Sequence, residues 1–158
     1  MYLIPKEFFI TSGKALSSVS DLNAFDLALM RAGIEEQNLV AVSSIIPPGA
    51  EEVPKFRLPM GAVTHCVLAQ MRGRSGDRIS AGIGYAYRKD GVGGYVAESH
   101  IFGGEEAVRN DLQRKVREME RIRNVELTEP AIISETLDVP DGEFGCCIAS
   151  LVFTSYRE

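Results

Sequence analysis

Residues 93–123 read GGYVAESHIFGGEEAVRNDLQRKVREMERIR, and a change of period inside this stretch decides the fold class. Over 93–102 the side chains alternate, so Val96, Glu98, His100 and Phe102 fall on one face of a strand. From residue 105 the period becomes helical: Val108, Leu112, Val116, Met119 and Arg123 trace an inward stripe, with Ile122 beside it, over about residues 105–123. Gly103-Gly104 opens this helix, and Glu105 and Glu106 suit its positive N-terminal end. Two strands follow, AIISETLD (131–138) and GCCIASLVF (145–153).

Toward the N-terminus the same order of elements recurs. EFFITS is a short strand ended by Gly13. Ser20 or Asp21 caps a helix over LNAFDLALMRA, and Gly33 stops it. Leu22, Phe25, Asp26 and Leu29 lie at i, i+3, i+4 and i+7, which places an acid on the face expected to be apolar. NLVAVSSII (38–46) reads as one strand, broken by Pro47-Pro48-Gly49. After an irregular segment with Pro54 and Pro59, AVTHCVLAQM (62–71) and RISAGIGYAY (78–87) are strands on either side of the turn-rich RGRSGD. Strand–helix–strand–strand thus occurs twice, without a sequence repeat. Two such units can stack their sheets face to face with a helix outside each sheet, an α+β sandwich in a single domain over 1–158. Glycines at 82, 84, 93 and 94 permit close backbone approach.

Composition bounds the function. Of 158 residues, 45% are hydrophobic and 25% charged, with a formal charge of -5. That balance lacks the dense basic patch nucleic acid requires, and no nucleic-acid partner is expected. MYLIPKEFFI carries Pro5, Lys6 and Glu7 where a signal segment would be apolar. No apolar run approaches the ~20 residues that span a bilayer, so a cytoplasmic chain without a membrane partner is expected. Cys66, Cys146 and Cys147 form neither a disulfide framework nor a zinc motif, and they read as small buried hydrophobes. No metal is expected. His65, flanked by apolar residues on its strand, reads as structural, and His100 as a surface or interface residue.

Ser43-Ser44 inside a strand is unremarkable by itself. Its surroundings are not. The stretch LNAFDLALMRAGIEEQNLVAVSSIIPPGAEEVPKFRLPMGA (22–62) resembles the pyruvoyl-dependent arginine decarboxylase family: the LNAFD helix start, the Ala-Gly-Ile helix end, Asn-Leu before the strand, SSI followed by Pro-Pro, and LPMGA. The likeness continues more loosely through the Glu98 strand and the helix after it.

The resemblance implies a four-layer α/β/β/α sandwich and a chain that cuts itself between Ser43 and Ser44. The Ser44 hydroxyl attacks the Ser43 carbonyl, an N-to-O acyl shift makes an ester, and β-elimination leaves a dehydroalanine that hydrolyses to a pyruvoyl group and ammonia. The products are residues 1–43 and a pyruvoyl-headed chain 44–158. A serine hydroxyl is a weak nucleophile and the tetrahedral intermediate needs a fixed donor; Asn38 matches a family position for that role. The pyruvoyl ketone would form a Schiff base with the substrate amine and act as the electron sink. Glu98 matches the family's catalytic acid, and a carboxyl on an apolar face should have a raised pKa. Asp26 matches the position that binds the substrate guanidinium, a pairing with two parallel hydrogen bonds. Gly33, Ser43, Ile45 and Ile46 are expected to shape the substrate channel. The implied substrate is arginine, released as agmatine and CO2, and the implied assembly is a trimer or dimer of trimers with sites at the interfaces. Asp26 alone does not separate arginine from lysine, ornithine or histidine. An unprocessed homologue that binds ligand without chemistry is the alternative outside catalysis.

Overall fold

A computed structural model describes residues 1–158. In chain order its elements are β1 (Pro5–Ser17), α1 (Asp21–Ala32), β2 (Asn38–Ala41), β3 (Ile45–Ile46), β4 (Glu51–Glu52), β5 (Val63–Arg74), β6 (Arg78–Tyr87), β7 (Gly94–Phe102), α2 (Glu105–Arg123), β8 (Ala131–Asp138) and β9 (Phe144–Tyr156). They form two sheets, one of order β2-β5-β9-β1-β4 and one of order β3-β7-β6-β8.

Three apolar layers hold the sandwich together. Between the sheets lie Phe8, Ile46, Val67, Ile83, Val96, Leu151, Phe153 and their neighbours. Ala24, Ala28, Leu29 and Ala32 of α1 pack on Phe9, Cys66, Ile148 and Val152, on the outer face of the five-stranded sheet. Val108, Leu112 and Val116 of α2 pack on Ala86, Tyr95 and Ala97, on the outer face of the other sheet. The α/β/β/α order is the expected one. Each sheet nevertheless draws strands from both halves of the chain: β9 lies between β5 and β1, and β3 joins the sheet of β7.

Three local expectations are corrected. Gly13 does not end β1, which runs on to Ser17. A Cβ on Gly13 would sit 2.4 Å from the Ala28 carbonyl oxygen and 2.9 Å from the Ala32 nitrogen, so the missing side chain lets α1 lie directly on the strand. Second, the buried face of α1 is Ala24, Ala28, Leu29 and Ala32. Leu22 and Asp26 are exposed, and the acid is not on the inner face. The small residues win because the helix axis sits too close to β1 for large ones. Ser20 caps the helix by accepting from the Asn23 N–H, and Gly33 ends it at φ 80°. Third, the run 38–46 is not one strand. β2 pairs in parallel with β5 and β3 pairs antiparallel with β7, so residues 42–44 carry the chain from one sheet to the other.

Replacing Gly13 with Ala is expected to destabilise the fold by about 2 kcal/mol, the usual cost of overpacking. That corresponds to a drop in melting midpoint of roughly 4–8 °C for a domain of this size, measured by thermal or urea unfolding.

Candidate functional site

Ser43 and Ser44 stand where the chain changes sheets. On the upstream side the Val42 N–H donates to the Cys66 carbonyl at 2.9 Å, holding the chain to β5. On the downstream side the Ser44 carbonyl accepts from the Val96 N–H at 2.9 Å, and Ile45 and Ile46 pair with Tyr95 and Gly94. The peptide bond between the serines is thus pinned from both sheets at once. Neither serine takes a left-handed conformation. A Cβ on Gly93 would lie 2.6 Å from the Ile46 carbonyl oxygen, so only glycine there lets the turn before β7 sit against β3.

Register then places the acid. Ser44 is opposite Val96 in the continued β3–β7 ladder, and residues directly opposite share a face. Glu98 is two residues further along β7 and shares that face too. Ser44 and Glu98 are therefore diagonal neighbours on the inner face of the four-stranded sheet. β3 ends its pairing at this point, so the β7 edge beside Glu98 is left open by the departing chain.

Glu98 is half-buried, and burial pushes its carboxyl above the usual range; His100 and Lys115 pull the other way without cancelling it. Its backbone is fixed from outside the sheet. Lys115 of α2 donates to the Glu98 carbonyl at 2.8 Å and pairs with Asp111 at 2.8 Å, while Ser99 donates to Asp111 at 2.6 Å. Burial also pushes up the three thiols, Cys66 to about 11 and Cys146 and Cys147 to about 12. They are buried hydrophobes, as their sequence context indicated.

The other candidates do not all converge within one chain. Asn38 opens β2, and its side-chain amide donates to the Gly61 carbonyl at 2.8 Å. Gln37 beside it holds the Leu58 and Pro59 carbonyls at 3.1 and 3.2 Å, which explains why LPMGA accompanies Asn-Leu. An extended strand advances ~3.3 Å per residue, so Asn38 lies on the order of 10 Å from Ala41 and further from Ser43. Its amide cannot reach the Ser43 carbonyl of its own chain. Asp26 and Gly33 belong to α1 and its C-terminal cap, on the far side of the five-stranded sheet from Glu98. Ile46 is buried in the inter-sheet core, whereas Ile45 is exposed.

Ser43 and Ile45 line a cleft of ≈ 310 Å³ together with Val42, Pro47, His65, Phe153 and Tyr156. The His65 Nδ1 is hydrogen-bonded to the Tyr156 hydroxyl. Sequence reasoning passed over Tyr156 and Lys115. Tyr156 lies at the chain's end with no motif around it, and the one signal for Lys115 was its i, i+4 spacing from Asp111.

The model of the family described as pyruvoyl-dependent arginine decarboxylase matches residues 7–158. A protein of that name from Methanopyrus kandleri is 35% identical over 150 residues, covering 95% of this chain and 97% of its own. One from Methanothermobacter thermautotrophicus is 38% identical over 145 residues, covering 91% and 93%. Pyruvoyl-dependent arginine decarboxylase 2 of Archaeoglobus fulgidus is 36% identical over 159 residues, covering 97% and 99%. With near full-length agreement on both sides, the chain belongs to the pyruvoyl-dependent arginine decarboxylase family.

Proposed function

We propose that this chain cuts itself between Ser43 and Ser44, converts Ser44 into a pyruvoyl group, and decarboxylates arginine to agmatine. The observation that carries the reading is the seating of the Ser43–Ser44 bond at the sheet-to-sheet crossing, with Ser44 on the same face as Glu98. That placement suits both steps. Cleavage at a crossing lets two chain ends part without unzipping either sheet. The new N-terminus at residue 44 stays anchored to β7 through β3, beside the acid.

A pyruvoyl ketone supplies a reactive carbonyl for the substrate amine and takes up the electrons released with CO2. The rest falls to side chains. Glu98, whose half-buried setting favours the protonated form, delivers a proton to the substrate α-carbon. Asn38 and Asp26 act on the site of a neighbouring copy, since neither reaches residue 44 of its own chain. Both are exposed, as are the apolar side chains of Leu22, Met30, Val40, Ile45 and Val63. Such side chains are suited to burial between subunits, which favours a homotrimer, or a dimer of trimers, with shared sites. No helix is long and apolar enough to cross a membrane.

Intact mass tests the cleavage directly. Two fragments, 1–43 and 44–158, are expected, the larger blocked to Edman sequencing; a lone species of 17.3 kDa would overturn the reading. Asp26→Asn tests the substrate. Loss of a charge-assisted pair costs roughly 1.5–3 kcal/mol, so the KM for arginine should rise about 10- to 100-fold with kcat little changed. An unchanged KM would remove Asp26 from the guanidinium site.

A further inference from the structure

Apart from Ser43 and Ile45, the residues of the cleft beside Ser43 have no part in the chemistry described so far. Its walls are mostly apolar, formed by Leu3, Pro5, Val42, Ile45, Pro47 and Phe153. Into it the fold sets one hydrogen-bonded pair of titratable side chains, His65 from β5 and Tyr156 from the end of β9. Arg157 follows Tyr156 and donates to the Pro48 carbonyl, next to Pro47 of the cleft wall. No acidic side chain lines the cleft; the nearest acid by sequence on β1, Glu7, is engaged by the Ser155 hydroxyl at 2.5 Å.

We propose that this cleft is a carboxylate-binding site whose occupant is the new chain end created at Ser43. The proposal rests on the cleavage reading. In that reaction the Ser44 Oγ bonds to the Ser43 carbonyl carbon and the peptide C–N bond breaks. Elimination then removes the Cα proton of residue 44 to solvent and breaks its Cβ–Oγ bond, and the electron pair leaves on oxygen. The dehydroalanine takes up water and releases ammonia. Residue 43 therefore ends the sequence as a carboxylate, carrying the former Ser44 oxygen.

Ser43 is exposed at the mouth of the cleft, so its new carboxylate keeps access to water and gains from any donors the cleft presents. His65 and Tyr156 are the cleft's side-chain donors besides Ser43 itself, and Arg157 brings positive charge to the neighbouring Pro48 carbonyl. After cleavage the His65 ring and the Tyr156 hydroxyl both donate to the carboxylate, and the opposite charge nearby favours the protonated ring. The same interaction draws Ser43 away from residue 44 and clears the approach to it. His65, read from sequence as structural, becomes a positioning residue for the processed state.

The chain has two histidines, so the test is clean. Imidazole 15N shifts are recorded near neutral pH on the processed protein and on the uncleavable Ser44→Ala chain, with His100→Gln used to assign the signals. The expected result is a protonated fraction of His65 at least about threefold larger after cleavage. Intact mass is read on the same samples. A chain left whole by wild-type processing overturns the cleavage itself and this site with it. A cut chain in which His65 has the same protonated fraction as in Ser44→Ala overturns the carboxylate site alone.

Discussion

Ser44→Ala is expected to leave one uncut chain of 17.3 kDa with no measurable release of CO2 from arginine. The substitution removes the attacking hydroxyl and the β-leaving group together, so neither the ester nor the dehydroalanine can form. Little else should change. Ser44 contributes its backbone carbonyl to the Val96 N–H, and alanine keeps that bond. The variant should therefore fold, assemble and unfold as the precursor does, which separates loss of chemistry from loss of structure. The effect is all-or-none on cleavage and at least several orders of magnitude on decarboxylation, because no other group in the chain supplies an electron sink. Intact mass and labelled CO2 release check it. Decarboxylation by the uncut variant would refute the pyruvoyl mechanism for this chain.

The two serines were visible in the sequence, but the reason they occupy a suitable place was not. NLVAVSSII contains no glycine or proline before Pro47, and two serines alone are too weak a turn signal to mark a departure from one sheet and arrival in another. The change depends on which strands β2 and β3 find as partners, and those partners, β5 and β7, lie 25 and more residues downstream. Periods of 2.0 and 3.6 give local structure and not pairing. For the same reason β5 to β8 and α2 were legible nearly residue by residue, while the insertion of β9 between β5 and β1 was not.

The misread face of α1 has a different cause. Large side chains outweigh alanines in any pattern of hydrophobicity, yet here close approach at Gly13 selects Ala24, Ala28 and Ala32 for the interior. Asp26 thereby moves from an anomalous buried acid to an exposed one. It needs no partner inside its own chain, and its proposed role now rests on a neighbouring copy. Glu98 was legible in both position and environment, since strand alternation alone put it beside Val96. What the sequence lacked was the bracket of Asp111 and Lys115 on α2 with Ser99 of β7 that fixes its backbone.

That bracket makes Glu98→Gln a sharp experiment. The glutamine side chain is nearly isosteric, and the hydrogen bond from Lys115 goes to the backbone carbonyl at 2.8 Å, so β7 should hold its place. Cleavage is expected to proceed largely as before. Turnover of arginine should fall by about 10²–10⁴, the usual contribution of a positioned acid. The pH profile should change as well. Burial raises the Glu98 pKa, so the protonated donor persists above the ordinary carboxylate range and is lost as pH rises through the raised value. The alkaline limb of kcat that this loss produces should vanish in the variant. Stability moves in the same sense. Ionising a group whose folded pKa exceeds its unfolded one costs stability as pH rises, so the glutamine variant should melt higher than the wild type near neutral pH and not at acid pH. A variant with normal turnover would remove Glu98 from the chemistry. Slow turnover with the alkaline limb intact would make its role one of shape, not of proton transfer.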